Sequence, residues 1–255
     1  MEGYETLPST NERAQGWAES GAPEGSTVVT DHQTDGRGRH GNGWQARPGQ
    51  SLTFSVVLRP SEPGGLRPAL SVPCRGLLPL VGGLAVCETV AEAINAPAPR
   101  LKWPNDVLIG GRKCCGVLVE TTSSGQTAGP LVLGIGLNVG QRAFPSVPEG
   151  ATPPTSLLLA AGPPPPERAA LLAGVLARLE AHYDALFEDD GQSVRAACTE
   201  WMANLGERVT VRSRASGKRV AGTACGLALD GALRLRTDAG TERVLRAGDV
   251  TMVDN

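Results

Sequence analysis

Residues 31 to 44 read Asp-His-Gln-Thr-Asp-Gly-Arg-Gly-Arg-His-Gly-Asn-Gly-Trp. Gly36, Gly38, Gly41 and Gly43 are interleaved there with Arg37, Arg39 and His40. Glycine opens backbone conformations closed to other residues and lets a loop approach a ligand closely. Two arginines on such a loop would aim forked, permanent cations at a carboxylate or phosphate. The letters also spell G-x-G-x-x-G, but a dinucleotide turn must open directly into a helix. Gly41, Gly43, Pro48 and Gly49 forbid one. An anion-binding loop survives that test; the plainer alternative is a surface loop with two solvated arginines. Nothing in the sequence names a partner for either cation in the absence of ligand.

The second constellation is Lys102-Trp103-Pro104-Asn105-Asp106. Proline fixes one backbone angle and restricts the residue before it, so Lys102 is presented from a stiffened strand end. A compact cation there suits a developing oxyanion or a transferred phosphoryl group. Asn105 and Asp106 could hold a ribose, a metal ion or the lysine itself. The same five residues could also be an edge strand ending in a polar turn.

The surrounding elements must position these groups. Ser9-Thr10-Asn11 precedes a short amphipathic segment at Ala14–Glu19, and capping that helix is one use for it. Binding a small polar ligand is the other. Thr27–Thr30 reads as a strand feeding the glycine loop. Ser51–Leu58 alternates, with Leu52, Phe54, Val56 and Leu58 on one face, which predicts a half-buried strand. Pro60–Pro73 is a loop, and Leu77–Ile94 has helical spacing weakened by Gly82 and Gly83. Leu101–Ile109 and Lys113–Glu120 form strands joined by a Gly110-Gly111 hairpin turn. A polar turn at Thr121–Gly129 leads to 131–139, apolar enough to be a central strand. Residues 140–166 hold eight prolines and predict an irregular connection, and Pro163–Pro166 is a stop before a helix rather than a partner's ligand. Glu167–Phe187 is the clearest helix, with His182 expected on its solvent side, and a short helix follows at Val194–Met202. From Leu205 the chain changes to short alternating runs at 209–211, 220–229, 233–236, 244–245 and 250–253. Asp230-Gly231 marks a hairpin, and these runs suggest a small barrel.

Composition excludes several classes. The 255 residues carry 24 basic and 26 acidic side chains, a net charge of −2, and the pI is near 6.0. That balance argues against non-specific nucleic-acid binding. Six cysteines form no C-x-x-C pair and follow no secretory signal, so reduced thiols in the cytoplasm are expected. No apolar run reaches the roughly 18 residues that span a membrane. His32, His40 and His182 are scattered, with no zinc-site spacing. No G-x-S-x-G or P-loop motif occurs.

Taken together, Gly36-Arg37-Gly38-Arg39 with Trp44, Lys102–Asp106, Gly116-Val-Leu-Val-Glu120 and Gly134-Ile-Gly-Leu-Asn138 occur in the order seen in biotin protein ligases. The chain resembles that family from Ser9 to about Met202, and its last 50 residues fit the family's small barrel. The resemblance implies an α+β chain. Residues 1–204 would form a sheet flanked by helices, similar to the catalytic domain of class II aminoacyl-tRNA synthetases, and residues 205–255 a small C-terminal β-barrel. It also implies ATP- and Mg²⁺-dependent transfer of biotin to a lysine of a biotin carboxyl carrier domain. Ser9, Thr10, Asn11 and Gln33 would hold the biotin rings. Gly36, Arg37, Gly38 and Arg39 would close over its carboxylate and the α-phosphate, which Lys102 would also reach. Gly116 would let the backbone pass close to the ligand. Trp44 would face the adenine, and Asn105, Lys113 and Asn138 would meet the phosphates or ribose; no residue is assigned as a resident metal ligand. Arg37, Arg39 and Lys102 are the candidate catalytic groups.

Many bacterial members carry an N-terminal winged-helix repressor domain, whereas here Ser9-Thr10-Asn11 comes almost at once, so no specific DNA binding is expected. Cys114-Cys115 stands where small or apolar residues are usual and is expected to be buried and inert. A monomer or a homodimer is compatible with the chain, and no membrane partner is expected. The alternatives are a lipoate-type ligase, whose motifs differ, and a non-catalytic binder, whose mark would be loss of Arg37, Arg39 or Lys102.

Overall fold

The computed structural model describes residues 1–60, 69–121, 129–148, 150–212 and 217–252. Most of the expected turn at Thr121–Gly129 and of the loop at Pro60–Pro73 lies outside them, as does Val253.

The chain opens with β1 (Glu2–Leu7), α1 (Thr10–Glu19) and β2 (Thr27–Gln33), then the two-residue strands β3 (Gly36–Arg37) and β4 (Gly43–Trp44). β5 (Ser51–Leu58), α2 (Val72–Arg75) and α3 (Leu78–Ala93) follow, then β6 (Arg100–Lys102), β7 (Asp106–Ile109), β8 (Arg112–Thr121) and β9 (Leu131–Asn138). After α4 (Leu157–Ala161), α5 (Arg168–Glu188) and α6 (Gln192–Glu200) come β10 (Arg208–Arg212), β11 (Arg219–Leu227), β12 (Leu233–Arg236), β13 (Glu242–Leu245) and β14 (Asp249–Met252).

Seven strands form a mixed sheet in the order β1-β2-β5-β9-β8-β7-β6. Only β1 and β2 pair in parallel; the other neighbours are antiparallel. β1 was not foreseen, because its residues are exposed or only half-buried and carry no apolar alternation. Period-two alternation sorts the central strands into two faces. Leu52, Phe54, Val56 and Leu58 of β5 join Leu131, Leu133, Ile135 and Leu137 of β9 in the main core under α3 and α5. On the opposite face α1 lies across β5, β9 and β2, where Ala14 and Ala18 pack with Val28, Val57 and Val132. β5 is therefore buried along its whole length rather than half-buried. Its second face carries Ser and Thr, which read as solvent-facing but are roofed by α1.

Two further expectations are corrected. His182 turns inward between α5 and α3, with Nε2 2.8 Å from Glu88 Oε2. The neighbouring Arg178 pairs with Glu88 and Glu92, so this stretch of the helix face is a charged seam. The connection 140–166 contains the five-residue α4, started by Ser156, whose hydroxyl accepts from Leu159 N at 3.2 Å.

The C-terminal strands make an antiparallel sheet in the order β13-β12-β11-β10-β14, and among the described residues its edges do not pair. The expected barrel stays open. Closure would bury β13, whose Glu242, Arg243 and Val244 are exposed, so nothing drives it. The sheet is not a detached unit: Val209, Val211, Leu233 and Leu235 belong to the main core cluster. Among the described residues no helix is long and apolar enough to cross a membrane.

Candidate active site

On the α1 side of the sheet most alternate positions are small or polar, Ser55 on β5, Gly116 on β8, and Gly134 and Gly136 on β9, while Leu118 of β8 adds an apolar patch. A cavity of about 200 Å³ lies over them, walled by α1, the β3–β4 hairpin, the strand end at Lys102 and the C-terminal residues Gly248 and Val250. Among the described residues, Ser9, Thr10, Asn11, Gln33, Arg37, Gly38, Arg39, Trp44, Lys102, Asn105, Lys113 and Gly116 all line this one space.

One end is a hydrogen-bonded polar cluster. Ser9 caps α1, its hydroxyl accepting from Glu12 N at 3.5 Å. Both readings of Ser9-Thr10-Asn11 therefore apply, since the capping residue also faces the cavity. Thr10 N and Thr10 Oγ1 stand 2.7 and 3.1 Å from Gln33 Oε1. Ser55 Oγ lies 2.8 Å from Thr10 Oγ1 and 2.6 Å from Asn11 Oδ1. Asn11 Nδ2 donates to Glu120 Oε2 at 2.7 Å. The Asn11 amide is seated on Gly134, where an added Cβ would stand 1.9 Å from Asn11 Oδ1.

The other end is cationic. The glycine stretch forms a hairpin, with Gly36 opposite Trp44 and Arg37 opposite Gly43. His40 takes a left-handed conformation (φ 59°) and Gly41 follows it (φ 75°), which gives the tip its tightness. No helix opens after the loop beyond a single 3-10 turn at 39–41, so the dinucleotide reading fails here too. Arg37 pairs with Glu12 at 3.0 Å. Arg39 Nη1 donates to Asn105 Oδ1 at 3.2 Å, and Asn105 Nδ2 donates to Val117 O at 2.7 Å. Both arginines thus have protein partners that the sequence did not name. Lys102 Nζ donates to the Thr152 hydroxyl. Lys113 Nζ lies 2.6 Å from Asp106 Oδ1, so Asp106 is an ion-pair partner of Lys113. The Trp44 indole stands on the Gly116–Gly136 pair of β8 and β9; a Cβ on Gly136 would meet its ring at 2.5 Å. Its Nε1 is buried without a hydrogen-bond partner among the described residues.

A segment with these motifs, on this sheet and around one cavity, matches known proteins along its length. The family model described as the biotin/lipoate A/B protein ligase family covers residues 3–138. That of the biotin protein ligase C-terminal domain covers residues 205–253. The chain belongs to the biotin protein ligase family. A relative named biotin–[acetyl-CoA-carboxylase] ligase from Mycobacterium tuberculosis is 35% identical over 245 residues, 95% of this chain and 85% of the relative. The bifunctional ligase/repressor BirA of Bacillus subtilis is 30% identical over 244 residues, 96% of this chain and 71% of the relative. Among solved structures, biotin protein ligase from Aquifex aeolicus in complex with biotin and ATP superposes with a TM-score of 0.78 at 30% identity. That match covers 100% of this chain and 98% of the other.

Within this family frame, two residues singled out from sequence lie outside the cavity lining. Gly36 is buried within the hairpin, where a Cβ would meet Trp44 O at 2.4 Å, so it lets the loop close rather than touching the space itself. Asn138 is buried; its Nδ2 donates to Thr155 O at 2.9 Å and its Oδ1 accepts from Gln141 Nε2 at 2.9 Å, which uses the amide in tying β9 to the connection before α4. Sequence reading passed over the lining residues Thr53, Gly134 and Gly136, and also Ser55, Glu120 and Thr152, which bond to lining residues from behind. Glu120 and the two glycines stood inside quoted motifs, and that was their only signal. Cys114 and Cys115 are buried, as expected. Burial pushes the Cys114 thiol up to about 12 and Cys115 well above its ordinary value.

Proposed function

We propose that the chain activates biotin with ATP and passes it to a lysine of a biotin carboxyl carrier domain. The observation that carries the reading is the polarity of one cavity. A neutral hydrogen-bonding end (Ser9, Thr10, Asn11, Gln33) faces a cationic end (Arg37, Arg39, Lys102, Lys113). Biotin is a neutral ring system with a distal carboxylate, and it fits that polarity with the acid among the cations. The relatives named above support the same assignment.

Bringing a carboxylate to an α-phosphate joins two anions, so pre-placed cations must offset their repulsion. Arg37 and Arg39 would exchange their present partners for carboxylate and phosphate oxygens, and Lys102 would sit at the same junction. The carboxylate oxygen bonds to the α-phosphorus as the bond to pyrophosphate breaks, leaving an acyl-adenylate. Trp44 would offer its face to the adenine and its unpaired N–H to a ligand acceptor. Asn105 would hold Arg39 in place or meet the ribose, and Lys113 would turn from Asp106 to the phosphates. Asn138 would support the ribose side through β9 rather than by direct contact. Mg²⁺ would enter on the nucleotide phosphates as part of the substrate, since the cavity's oxygen donors Asn105 and Asp106 are few and such ions need only one or two protein ligands.

In the second step the carrier lysine amine attacks the acyl carbon, the bond to AMP breaks and the amine sheds a proton. Gly36–Trp44 would cover the adenylate against water meanwhile. Residues 1–204 would hold the reactants, and 205–255 would close one wall through Gly248 and Val250. Pyrophosphate release with MgATP and biotin, lipoate or octanoate tests the reading. Biotin alone should turn over; equal turnover of lipoate would replace it with the lipoate-ligase alternative.

A further inference from the structure

We infer that Glu120 is a positioning residue that sets the hydrogen-bond polarity of the neutral end of the cavity, and so its selectivity for a cyclic urea. The inference rests on the biotin reading and adds a residue to it that makes no contact with the cavity itself. Glu120 Oε2 receives Asn11 Nδ2 at 2.7 Å. A carboxylate can only accept, so it dictates which end of the Asn11 amide faces it.

The consequences follow by counting protons. Asn11 Oδ1 is turned to Ser55 Oγ at 2.6 Å, and that contact consumes the single hydroxyl proton of Ser55. Ser55 Oγ can then only accept at its other contact, 2.8 Å from Thr10 Oγ1, so the Thr10 hydroxyl must donate. The alternative acceptor for that proton, Gln33 Oε1 at 3.1 Å, is also inside the protein. Either way Thr10 has no proton left for a ligand and shows it lone pairs. Gln33 Oε1 is held in addition by the Thr10 backbone N–H at 2.7 Å, which leaves the Gln33 amide nitrogen as the donor on offer.

The end of the cavity thus displays an acceptor at Thr10 and a donor at Gln33, on residues that both line it. A cyclic urea carries N–H donors beside one carbonyl acceptor and matches that display; a dithiolane ring offers neither group. With an apolar side chain at 120, Asn11 is free to turn over. Its NH₂ would then face Ser55 and Ser55 would donate to Thr10, which takes up a Thr10 lone pair and leaves the Thr10 proton divided between Gln33 Oε1 and the urea N–H. The relay would be reversed with hardly a change in shape.

The test is the initial rate of pyrophosphate release by wild type, Glu120→Leu and Glu120→Gln, with biotin and MgATP varied separately and thermal melts recorded for each. Glu120→Leu should raise KM for biotin by ~10-fold while KM for ATP stays within about twofold. Glu120→Gln keeps an amide oxygen that can accept from Asn11 and should recover to within about threefold of wild type. Should Glu120→Leu not fold, Ser55→Ala, which removes the middle of the relay, should show the same split. An unchanged biotin KM in these variants overturns the inference. So does a parallel rise of both KM values with a lowered Tm, which would mark Glu120 as merely structural. If wild type itself shows no biotin-dependent pyrophosphate release, the biotin reading fails first, and that result is distinct from any seen in the variants alone.

Discussion

Arg37 Nη2 lies 3.0 Å from Glu12 Oε2, which ties the glycine hairpin to the first turn of α1. Both side chains are more than a third exposed, at 41% and 55%. A pair so solvated contributes ~0–1 kcal/mol at most. It can park the arginine without competing seriously against a carboxylate and a phosphate. The peptide bonds after Arg37 and Arg39 should therefore be open to trypsin in the free protein and protected when biotin and ATP are present together. Biotin alone should protect less, because it lacks the phosphate. Arg47 precedes Pro48 and should resist in both states, which gives an internal control. Equal cleavage with and without both ligands would show that the hairpin does not close over the intermediate.

Lys102 lines the cavity and donates to the Thr152 hydroxyl, a contact between groups 50 residues apart. Lys102→Ala should slow adenylation by about two orders of magnitude or more, near 3 kcal/mol of transition-state stabilisation. Biotin affinity should fall less, since under the proposed function the ring contacts would lie at the other end. Single-turnover rates and equilibrium binding separate the two effects. A rate within about threefold of wild type would remove Lys102 from the chemistry.

What could be read in advance was what is local in the chain. Gly36–Trp44 and Lys102–Asp106 declare themselves because all the necessary residue types stand within a few positions, and most residues of the first and all of the second line the cavity. The strand alternation of 51–58 was equally plain, but its second face could not be read. Ser55 looks like a solvent-facing residue until α1, 44 positions earlier, is seen to roof it. Glu120 and Asn11 are 109 positions apart, so no spacing rule joins them. Asn138 shows the opposite case. It ends a run with alternate glycines, yet its amide bonds to Thr155 and Gln141 of a proline-rich connection with no period to read.

The cysteines give a prediction in pH. Cys74, Cys87, Cys114, Cys115 and Cys198 are buried, and only Cys225 is half-exposed. Burial raises Cys114 and Cys198 from an ordinary 9.0 to about 12. In the unfolded chain these thiols lose their protons near 9.0, while in the folded chain they keep them to about 12. The unfolded state therefore binds fewer protons across that window, and stability falls as pH rises through it, with the full contribution present below it. Denaturant midpoints should decline above pH 9. A disulfide-exchange reagent at pH 8 should label Cys225 alone in the native protein and all six thiols after unfolding. Rapid labelling of the Cys114-Cys115 pair without unfolding would contradict the assignment.

The two glycines of β9 separate the ends of the cavity. A Cβ at position 134 would stand 1.9 Å from Asn11 Oδ1 and 2.8 Å from Asn11 Cγ. The amide cannot step aside, because Ser55 and Glu120 hold it from two sides at 2.6 and 2.7 Å. At position 136 the added carbon would instead meet the Trp44 ring at 2.5 Å, and that ring sits on a two-residue strand of a surface hairpin. Gly134→Ala should therefore raise KM for biotin by an order of magnitude or more, with an overpacking cost of about 1–3 kcal/mol in stability. Gly136→Ala should act on KM for ATP, through a displaced Trp44, and lower Tm less. Separate titration of the two substrates in pyrophosphate release, with melts of both variants, reads all four quantities. If Gly134→Ala weakened ATP and left biotin unchanged, the neutral end of the cavity would not be where the biotin rings bind.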